Sequence, residues 1–187
     1  MKRFSDRQRL WFYRVLTLIT TAILVHIAAV WVAPRLIMRV LMHGPMAQSM
    51  DMQNRAAFPP PVTAAARTVV MPSPDLLYSV CVFDVSEGPV RIAANPNLKS
   101  YWSIALYAAN SDNFFVVNDR KSAGKPVDIW LVSPGGSPGI RPIPDGAQVV
   151  VSPSKTGFLL MRVLTGDYEG EKHRIETARH TLVCAAA

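Results

Sequence analysis

The sequence predicts a mainly β protein: an antiparallel β-sandwich-like domain with one C-terminal helix, preceded by a single N-terminal transmembrane helix. Three observations support this fold class. A long apolar run lies near the N-terminus. Downstream, short runs rich in β-branched and aromatic residues are bounded by Pro, Gly, Asn and Asp, which is typical of strands joined by turns. A charged segment near the end has the capping residues of a helix.

Residues 1–14 form a basic tail that we expect to lie in the cytoplasm. Five of them are basic and one, Asp6, is acidic, so the tail contributes +4 to the formal net charge of +7. Positively charged residues beside an apolar span favour the cytoplasmic side of a membrane. No basic cluster interleaved with aromatic residues follows in the chain, so the charge does not indicate a nucleic-acid partner.

Residues 15–34 are predicted to be a membrane anchor. The run from Val15 to Ala33 has no Asp, Glu, Lys or Arg, and a helix rising about 1.5 Å per residue would nearly match a hydrocarbon core of about 30 Å. A cleaved signal peptide is the alternative, with an apolar region of about 7–15 residues and a small-x-small site after it. Pro34 and Arg35 follow instead. We therefore predict a single-pass protein of the bacterial inner membrane, with the lipid bilayer as one partner and the main domain in the periplasm.

Residues 35–66 are predicted to be a neck and linker rich in Met and Pro. Arg35–His43 can continue the helix, and Gly44-Pro45 should end it. Pro59-Pro60-Pro61 is expected to form a stiff spacer. The folded domain should therefore begin near Arg67.

The methionines of the neck recur every four residues. Thioethers are soft ligands, so these side chains and a nearby histidine suggest a copper(I) site as one alternative. The other alternative is an adaptable apolar face that packs on lipid or on a partner helix. We favour packing and predict no cofactor. The candidate metal ligands would be Met38, Met42, His43 and Met46.

Residues 67–187 are predicted to be the periplasmic β-rich domain. Ser86-Glu87-Gly88 is expected to close a hairpin, and Asn95-Pro96-Asn97 to form a second turn. Asp167 can cap the terminal helix, and "TLVC" would follow it as a short strand. The eight main strand candidates are "RTVVM", "LYSVCVFDV", "PVRIAA", "YWSIALYAA", "NFFVVND", "VDIWLV", "AQVVVS" and "GFLLMRVL".

The chain has two cysteines, Cys81 in an early predicted strand and Cys184 near the end of the sequence. The periplasm permits disulfides, and a bridge would tie the terminus to the sheet. Two buried free thiols are the alternative. Pairing depends on the separation of the Cα atoms, which the spacing in the sequence does not give, so both alternatives stay open.

The stretches "PSPDLLYSVCVFDVSEGPVRI" and "YWSIALYAANSDNFFVVNDR" resemble the family called domain of unknown function 1254. The similarity extends over roughly Arg67 to Cys184. It implies a β-rich exported domain of uncharacterised activity. The matching residues are Ser73, Pro74, Asp75, Tyr78 and Ser79; Asp84, Ser86, Gly88 and Pro89; Tyr101, Trp102, Ser103, Asn113 and Phe114; and Arg162 in the later "SPSKTGFLLMRVL".

Many larger members of that family carry a second module, the domain of unknown function 1214, on the same chain. This chain ends without one. The resemblance therefore implies a partner: a separate membrane-anchored protein that carries the second module.

No catalytic residues are predicted. Ser79 as a nucleophile would need a base within hydrogen-bond reach, and the histidines of the domain, His173 and His180, belong to no catalytic motif. Asp75 and Asp84 would lie roughly 30 Å apart on a straight strand, at about 3.3 Å per residue, which is too far for a carboxylate pair.

Candidate ligand-binding residues lie mainly around the turn between the fourth and fifth predicted strands. Their oxygen and nitrogen atoms could ligate calcium or bind a sugar, although each residue type is also an ordinary turn former. Arg162 lies inside an apolar strand and is expected to pair with Asp84 or Asp112 if it is buried. The candidates are Asp75, Tyr78, Tyr107, Asn110, Asp112, Asn113, Arg120 and Arg162.

The leading functional hypothesis is a non-catalytic periplasmic subunit that docks to a related membrane-anchored protein or a hetero-oligomeric membrane complex. One alternative is a binding module for a small molecule or carbohydrate, with aromatic side chains beside the polar segment. Another is a hydrolase or lyase whose site is completed by the partner.

Overall fold

The computed structural model describes residues 5–66, 72–135 and 143–187. The chain divides into two compact units, Met1–Ile37 and Met38–Ala187. The apolar N-terminal run lies in a 38-residue helix, α1 (Asp6–His43), which continues through Pro34. This helix is long and apolar enough to cross a membrane, as either an anchor or a signal sequence would be. The predicted break at Gly44-Pro45 is confirmed, because α1 ends at His43.

The second unit contains short helices and two sheets, and the predicted mainly β fold is confirmed. Its helices after α1 are α2 (Pro45–Ser49), α3 (Asp119–Ser122) and α4 (Tyr168–Arg179). Its strands are β1 (Leu76–Asp84), β2 (Val90–Ala94), β3 (Trp102–Ala108), β4 (Asn113–Asn118), β5 (Val127–Val132), β6 (Gln148–Val151), β7 (Thr156–Leu164) and β8 (Val183–Ala186). The predicted strand "RTVVM" lies outside the described residues.

The strands form two four-stranded sheets that share one core. The first sheet has the order β1-β7-β3-β4 and is antiparallel throughout. The second has the order β6-β5-β2-β8 and is antiparallel except for the parallel pair of β5 and β6. A parallel pair needs a long connection, and residues 133–147 separate the two strands in the sequence. The core contains side chains from both sheets, such as Phe83, Ile104 and Ile129, each 0% exposed.

The predicted hairpin at Ser86-Glu87-Gly88 is wrong. It would pair β1 with β2, but these strands belong to different sheets. The turn instead carries the chain across the core from the first sheet to the second. The carboxylate of Asp84 accepts hydrogen bonds from the backbone N–H and the hydroxyl of Ser86, at 2.9 and 2.6 Å, which fixes the start of this crossing.

The neck is packed against the first sheet and the compact unit begins at Met38, before the boundary that the sequence suggested near Arg67. The backbone of Met52 and Asn54 bonds to Val82, and that of Ala57 bonds to Val80, so residues 52–57 pair with the outer edge of β1. The Asn54 amide also exchanges two hydrogen bonds with the backbone of Asp84. Covering a strand edge in this way prevents it from pairing with another chain.

The neck methionines supply much of this packing. A second apolar cluster on the outer face of the first sheet joins Met38, Met42 and Met52 to Val80, Val82 and Phe158. The side chain of Met52 is fully buried, whereas Met46 is 36% exposed. The apolar face that the spacing indicated therefore packs on the protein's own sheet.

Cys81 and Cys184 form a disulfide in the structure. It joins β1 of the first sheet to β8 of the second, and both cysteines lie in the shared core. The Cα atoms are 6.6 Å apart. The bridge therefore ties the last strand to the first across the sandwich.

Candidate functional site

The outer face of the first sheet brings together residues that are distant in sequence. Tyr78 of β1 faces Arg162 of β7, and Arg162 faces Ser103 of β3. Because side chains alternate between the two faces of a strand, these three lie on the face opposite the core. The hydroxyl of Tyr101 donates to Ser103 Oγ at 2.8 Å, which adds a second aromatic side chain to the row.

Arg162 has no carboxylate partner among the described residues. The pairing with Asp84 or Asp112 was expected only for a buried Arg162, and this side chain is half-buried. Its Nη2 donates instead to the hydroxyl of Tyr107, at 3.4 Å. Asp84 is committed to the turn at Ser86. Tyr107 also packs against the methionine cluster of the neck, so the guanidinium group lies at the border of that cluster.

The polar segment after β3 does not form one site. Asn110 and Asp112 hydrogen-bond each other in the β3–β4 turn, and Asn113 begins β4. Arg120 lies in α3, beyond the other end of β4. Six strand residues at about 3.3 Å each separate the two groups. Asn110, Asp112 and Asn113 therefore act as turn and strand-end residues, away from Arg120.

Asp75 lies in the turn that leads into β1. Its backbone N–H donates a hydrogen bond to Ser73 Oγ at 3.4 Å. Its carbonyl accepts hydrogen bonds from the N–H and the hydroxyl of Thr165, both at 2.9 Å. Asp84 ends the same strand. The two carboxylates therefore sit at opposite ends of β1, as the sequence indicated, and form no acid–base pair.

Ser79 has no base beside it. It is fully buried, and its hydroxyl has no hydrogen-bond partner among the described residues. His180 stacks on Phe58 of the neck, with ring centroids 4.0 Å apart. Within residues 5–66, 72–135 and 143–187, no group of three or more His, Cys, Asp or Glu side chains is arranged to hold a metal ion.

A charged cluster at the end of α4 fastens this helix to the neck and to β1. Arg179 is buried, and its guanidinium donates to Glu176 and to the carbonyls of Pro59 and Tyr78. The Tyr168 hydroxyl donates to Glu176 Oε1 at 2.9 Å. At the other end of the helix Asp167 accepts from the N–H of Gly170, so the predicted N-cap is confirmed.

The cluster shifts the pKa values of its members in opposite directions. Burial alone would raise the pKa of Glu176, but the hydrogen bonds from Tyr168 and Arg179 and the positive charge of Arg179 hold that pKa below its ordinary value of 4.5. Burial raises the pKa of the Tyr168 phenol above 10.0, and its bond to the Glu176 carboxylate adds to the effect. The ionised carboxylate and the neutral phenol are therefore the forms that the fold favours.

We expect Glu176→Gln to lower the free energy of unfolding at pH 7 by about 1.5–3 kcal/mol, because it removes a charged acceptor from the buried Arg179. The folded pKa of Glu176 is lowered, so its stabilisation is complete above 4.5 and is lost as pH falls through the folded value. The difference in the free energy of unfolding between wild type and variant should therefore become smaller below about pH 5. Urea unfolding at pH 7, 5 and 4 measures it.

Glu171→Gln is the matched control for this prediction. Glu171 lies on the same helix and pairs with Arg174, but both side chains are nearly half exposed. We expect a change of less than about 1 kcal/mol, with no pH-dependent gap. Equal effects of the two substitutions would contradict the role assigned to Glu176.

A groove of 540 Å³ opens beside β4, α3 and β5. Phe115 and Val117 of β4 line it together with Trp130, so the apolar part of the predicted segment does face a concavity. The polar candidates Asn110, Asp112, Asn113 and Arg120 do not line it. Its charged lining residues are Lys121, Asp128 and Asp145.

The outer face of the second sheet carries exposed apolar side chains. Val149 and Val151 of β6 are 48% and 59% exposed, and Val183 of β8 is 44% exposed. Trp130 lies between these strands, in register with Val149 on one side and Arg91 on the other. We call this surface, formed by Trp130, Val149, Val151 and Val183 with Arg91 and Asp128, the open face.

An ion pair crosses the open face. Arg91 donates to both carboxylate oxygens of Asp128, from Nε at 2.9 Å and from Nη2 at 2.6 Å. Hydrogen bonding from Arg91 lowers the pKa of Asp128. The two charges therefore satisfy each other, and the three valines are the exposed apolar side chains of this surface.

The family model for "Protein of unknown function (DUF1254)" matches residues 53–186. The chain belongs to the DUF1254 family. The match includes every strand of both sheets and begins within the part of the neck that pairs with β1. No functionally curated protein matches the chain.

A solved structure shares the fold of this chain. The crystal structure of the VPA0106 protein from Vibrio parahaemolyticus superposes with a TM-score of 0.62 at 13% identity, over 85% of this chain and 37% of that one. This chain therefore corresponds to little more than a third of VPA0106. An uncharacterized protein from Burkholderia cenocepacia aligns with a TM-score of 0.43 at 15% identity, over 63% of this chain and 33% of that chain.

The residues that carried the DUF1254 resemblance come together at two places. Tyr78, Ser103 and Arg162 meet in the row across the first sheet. Asp84 and Ser86 form the crossing between the sheets. Sequence reasoning missed the open face, although the valines of "AQVVVS" and "TLVC" were recognised as strand residues, because alternation does not reveal which face another layer covers.

Proposed function

We propose that this DUF1254 protein is a membrane-anchored, non-catalytic subunit of the bacterial envelope that docks to a second membrane-anchored protein of related architecture through the open face. The anchor would be α1, with its basic end in the cytoplasm. The sandwich would lie in the periplasm, where the Cys81–Cys184 disulfide can form and persist.

The observation that carries this proposal is the contrast between the two outer faces of the sandwich. Much of the first sheet's outer face is covered by the neck, through Met38, Met42 and Met52. The open face has no such cover among the described residues, and its three valines are each more than 40% exposed. Exposed apolar side chains grouped on one face of a folded domain favour an interaction site.

The comparison with VPA0106 supports a protein as the occupant. The fold shared with this chain makes up 37% of that protein, so there it belongs to a chain with a further large portion. If a protein module of that kind bound the open face, its apolar surface would bury the valines around Trp130. The Arg91–Asp128 pair lies on the two central strands of this face, β2 and β5, and its two charges already neutralise each other.

The experiment is affinity isolation of the tagged full-length chain from its native membranes in a mild detergent. We expect a membrane-anchored protein to co-purify in a fixed ratio with the wild type. Val149→Asp should reduce its recovery about tenfold or more, because docking would then bury an unpaired carboxylate. Quantitative mass spectrometry measures the recovery.

Val116→Asp provides the matched control, because Val116 of β4 is 41% exposed but lies on the first sheet. We expect this variant to retain the partner at the wild-type level. Recovery of the chain as a monomer, or equal losses for the two variants, would contradict docking through the open face.

A further inference from the structure

Two arginines of the sandwich have very different hydrogen-bonding environments. The buried Arg179 uses Nε, Nη1 and Nη2, which donate to Glu176 and to two backbone carbonyls. Arg162 is half-buried and makes one hydrogen bond in the described part of the chain, the 3.4 Å contact from Nη2 to Tyr107. A guanidinium carries five N–H donors in a planar fork. Most of the donors of Arg162 therefore have no acceptor among the described residues.

The outward strand side chains around Arg162 carry no negative charge. Across the four strands of the first sheet, the outward side chains between the row of Tyr78 and the row of Tyr107 are apolar or neutral apart from Arg162. These neutral neighbours are Tyr78, Val80, Val82, Ser103, Ala105, Tyr107, Val116, Asn118, Phe158 and Leu160. Such surroundings weaken the screening of a positive charge relative to water, so they strengthen its attraction for an anion.

The free donors of Arg162 are reachable from solvent. Among the described residues, the only buried side-chain nitrogen or oxygen without a partner is the Ser79 hydroxyl. The unpaired nitrogens of Arg162 are therefore not sealed in the protein. Beside them, Tyr101 is 41% exposed and its hydroxyl is held by Ser103, and the Tyr107 hydroxyl accepts from Arg162 and keeps its own proton free to donate.

We propose that Arg162 and Tyr107 form a binding site for an oxyanion, a phosphate or carboxylate group, on the outer face of the first sheet. The planar guanidinium donates two parallel hydrogen bonds to such a group, a geometry that a lysine does not reproduce. The phenol of Tyr107 supplies a third donor. The phosphate of a lipid headgroup and a free phosphate share this chemistry, and they are distinguished by experiment. The site is separate from the open face and does not depend on docking there.

The test is an NMR titration of the full-length chain in maltoside micelles, which contain no phosphate, at constant ionic strength. The Arg162 Nε–H signal reports on the site directly. Three probes are added separately: inorganic phosphate, acetate and short-chain phosphatidylglycerol. We expect a saturable shift of this signal with at least one probe. A response to phosphatidylglycerol alone identifies a lipid source, and a response to inorganic phosphate or acetate identifies a free anion.

Variants separate a specific site from general attraction to a basic protein. Signals of Tyr107 and its neighbours follow binding in Arg162→Gln, where we expect the saturable response to disappear. Arg162→Lys keeps the charge but loses the fork, so its affinity should fall about tenfold. Arg174→Gln, at an exposed arginine of α4, should bind like the wild type. Absence of saturation with all three probes, or saturation that persists in Arg162→Gln, would show a solvated arginine only and overturn the proposal.

Discussion

Reduction of the Cys81–Cys184 disulfide is expected to lower the free energy of unfolding of the sandwich by about 4–5 kcal/mol. The bridge closes a loop with a sequence separation of 103, and a cross-link over about 100 residues removes about 4.7 kcal/mol of chain entropy from the unfolded state in the entropic model. It also joins β1 to β8, so its loss releases the terminal strand of the second sheet. Few other single changes in this domain should cost as much.

Guanidinium unfolding with and without reductant measures this effect, with tryptophan fluorescence, to which the buried Trp102 contributes, as the signal. The control is the double variant Cys81→Ala with Cys184→Ala, whose unfolding should be insensitive to reductant and should match the reduced wild type within about 1 kcal/mol. A wild-type midpoint unchanged by full reduction, verified by thiol labelling, would show that the bridge does not stabilise the fold.

Met52→Ala is expected to destabilise the domain by about 2–5 kcal/mol and to release the neck from the first sheet. The Met52 side chain is fully buried in the outer cluster, beside strand residues such as Val80 and Val82. Its truncation removes buried apolar contacts and leaves a cavity that the surrounding sheet fills only in part. The edge pairing of residues 52–57 with β1 depends on this anchor.

Met46→Ala is the matched control, since Met46 belongs to the same neck but is 36% exposed. We expect a change within about 0.5 kcal/mol for this variant. Denaturant unfolding gives both values, and limited proteolysis after Arg55 reports release of the neck. If both substitutions cost the same, or if the neck of Met52→Ala stays protected, the neck is not held by this cluster.

The strands of the sandwich could be predicted well because their residue types and bounding turns are local signals. The runs that contain Cys81, Ile104 and Leu159 all became strands of the first sheet. Which strands pair with each other was harder to predict from the sequence. Ser86-Glu87-Gly88 has the composition of a hairpin turn, but similar residues can also carry a chain between two sheets. Which of the two occurs is decided by long-range packing.

The packing of the neck also depends on long-range contacts that the sequence does not reveal. The four-residue spacing of Met38, Met42 and Met46 identifies one apolar face of a helix, yet it does not say whether lipid, a partner or the protein's own sheet covers that face. Gly44-Pro45 marked the end of α1 correctly because the helix-ending effect of this pair is local. The pairing of residues 52–57 with β1 has no local signature.

In the candidate site, too, the local features could be predicted from the sequence and the long-range contacts could not. Asn110 and Asp112 were recognisable as turn residues, and they form a turn. Tyr78, Tyr107 and Arg162 were named individually, but their meeting on one face depends on the register of β1, β3 and β7. Arg162 was expected to need a carboxylate because buried charges are usually paired. It is only half-buried, so solvent or a bound anion can satisfy it instead.

In the proposed architecture, the two outer faces of the sandwich have different functions: the first sheet binds an oxyanion and the second binds a partner protein. The neck covers much of the outer face of the first sheet, and the Arg162–Tyr107 site lies at the border of the covered part. The second sheet leaves Trp130 and three exposed valines for a partner. An interface built on such a patch would draw its affinity from burial of the apolar residues at its centre.

Photo-cross-linking in native membranes tests docking through the open face most directly. A photoreactive amino acid is placed at position 149 of the open face and, in a second variant, at position 116 of the first sheet. We predict that position 149 gives a defined adduct with a membrane-anchored protein and that position 116 gives none. The absence of an adduct at position 149, or the same adduct from both positions, would contradict the proposal that the open face is the docking surface.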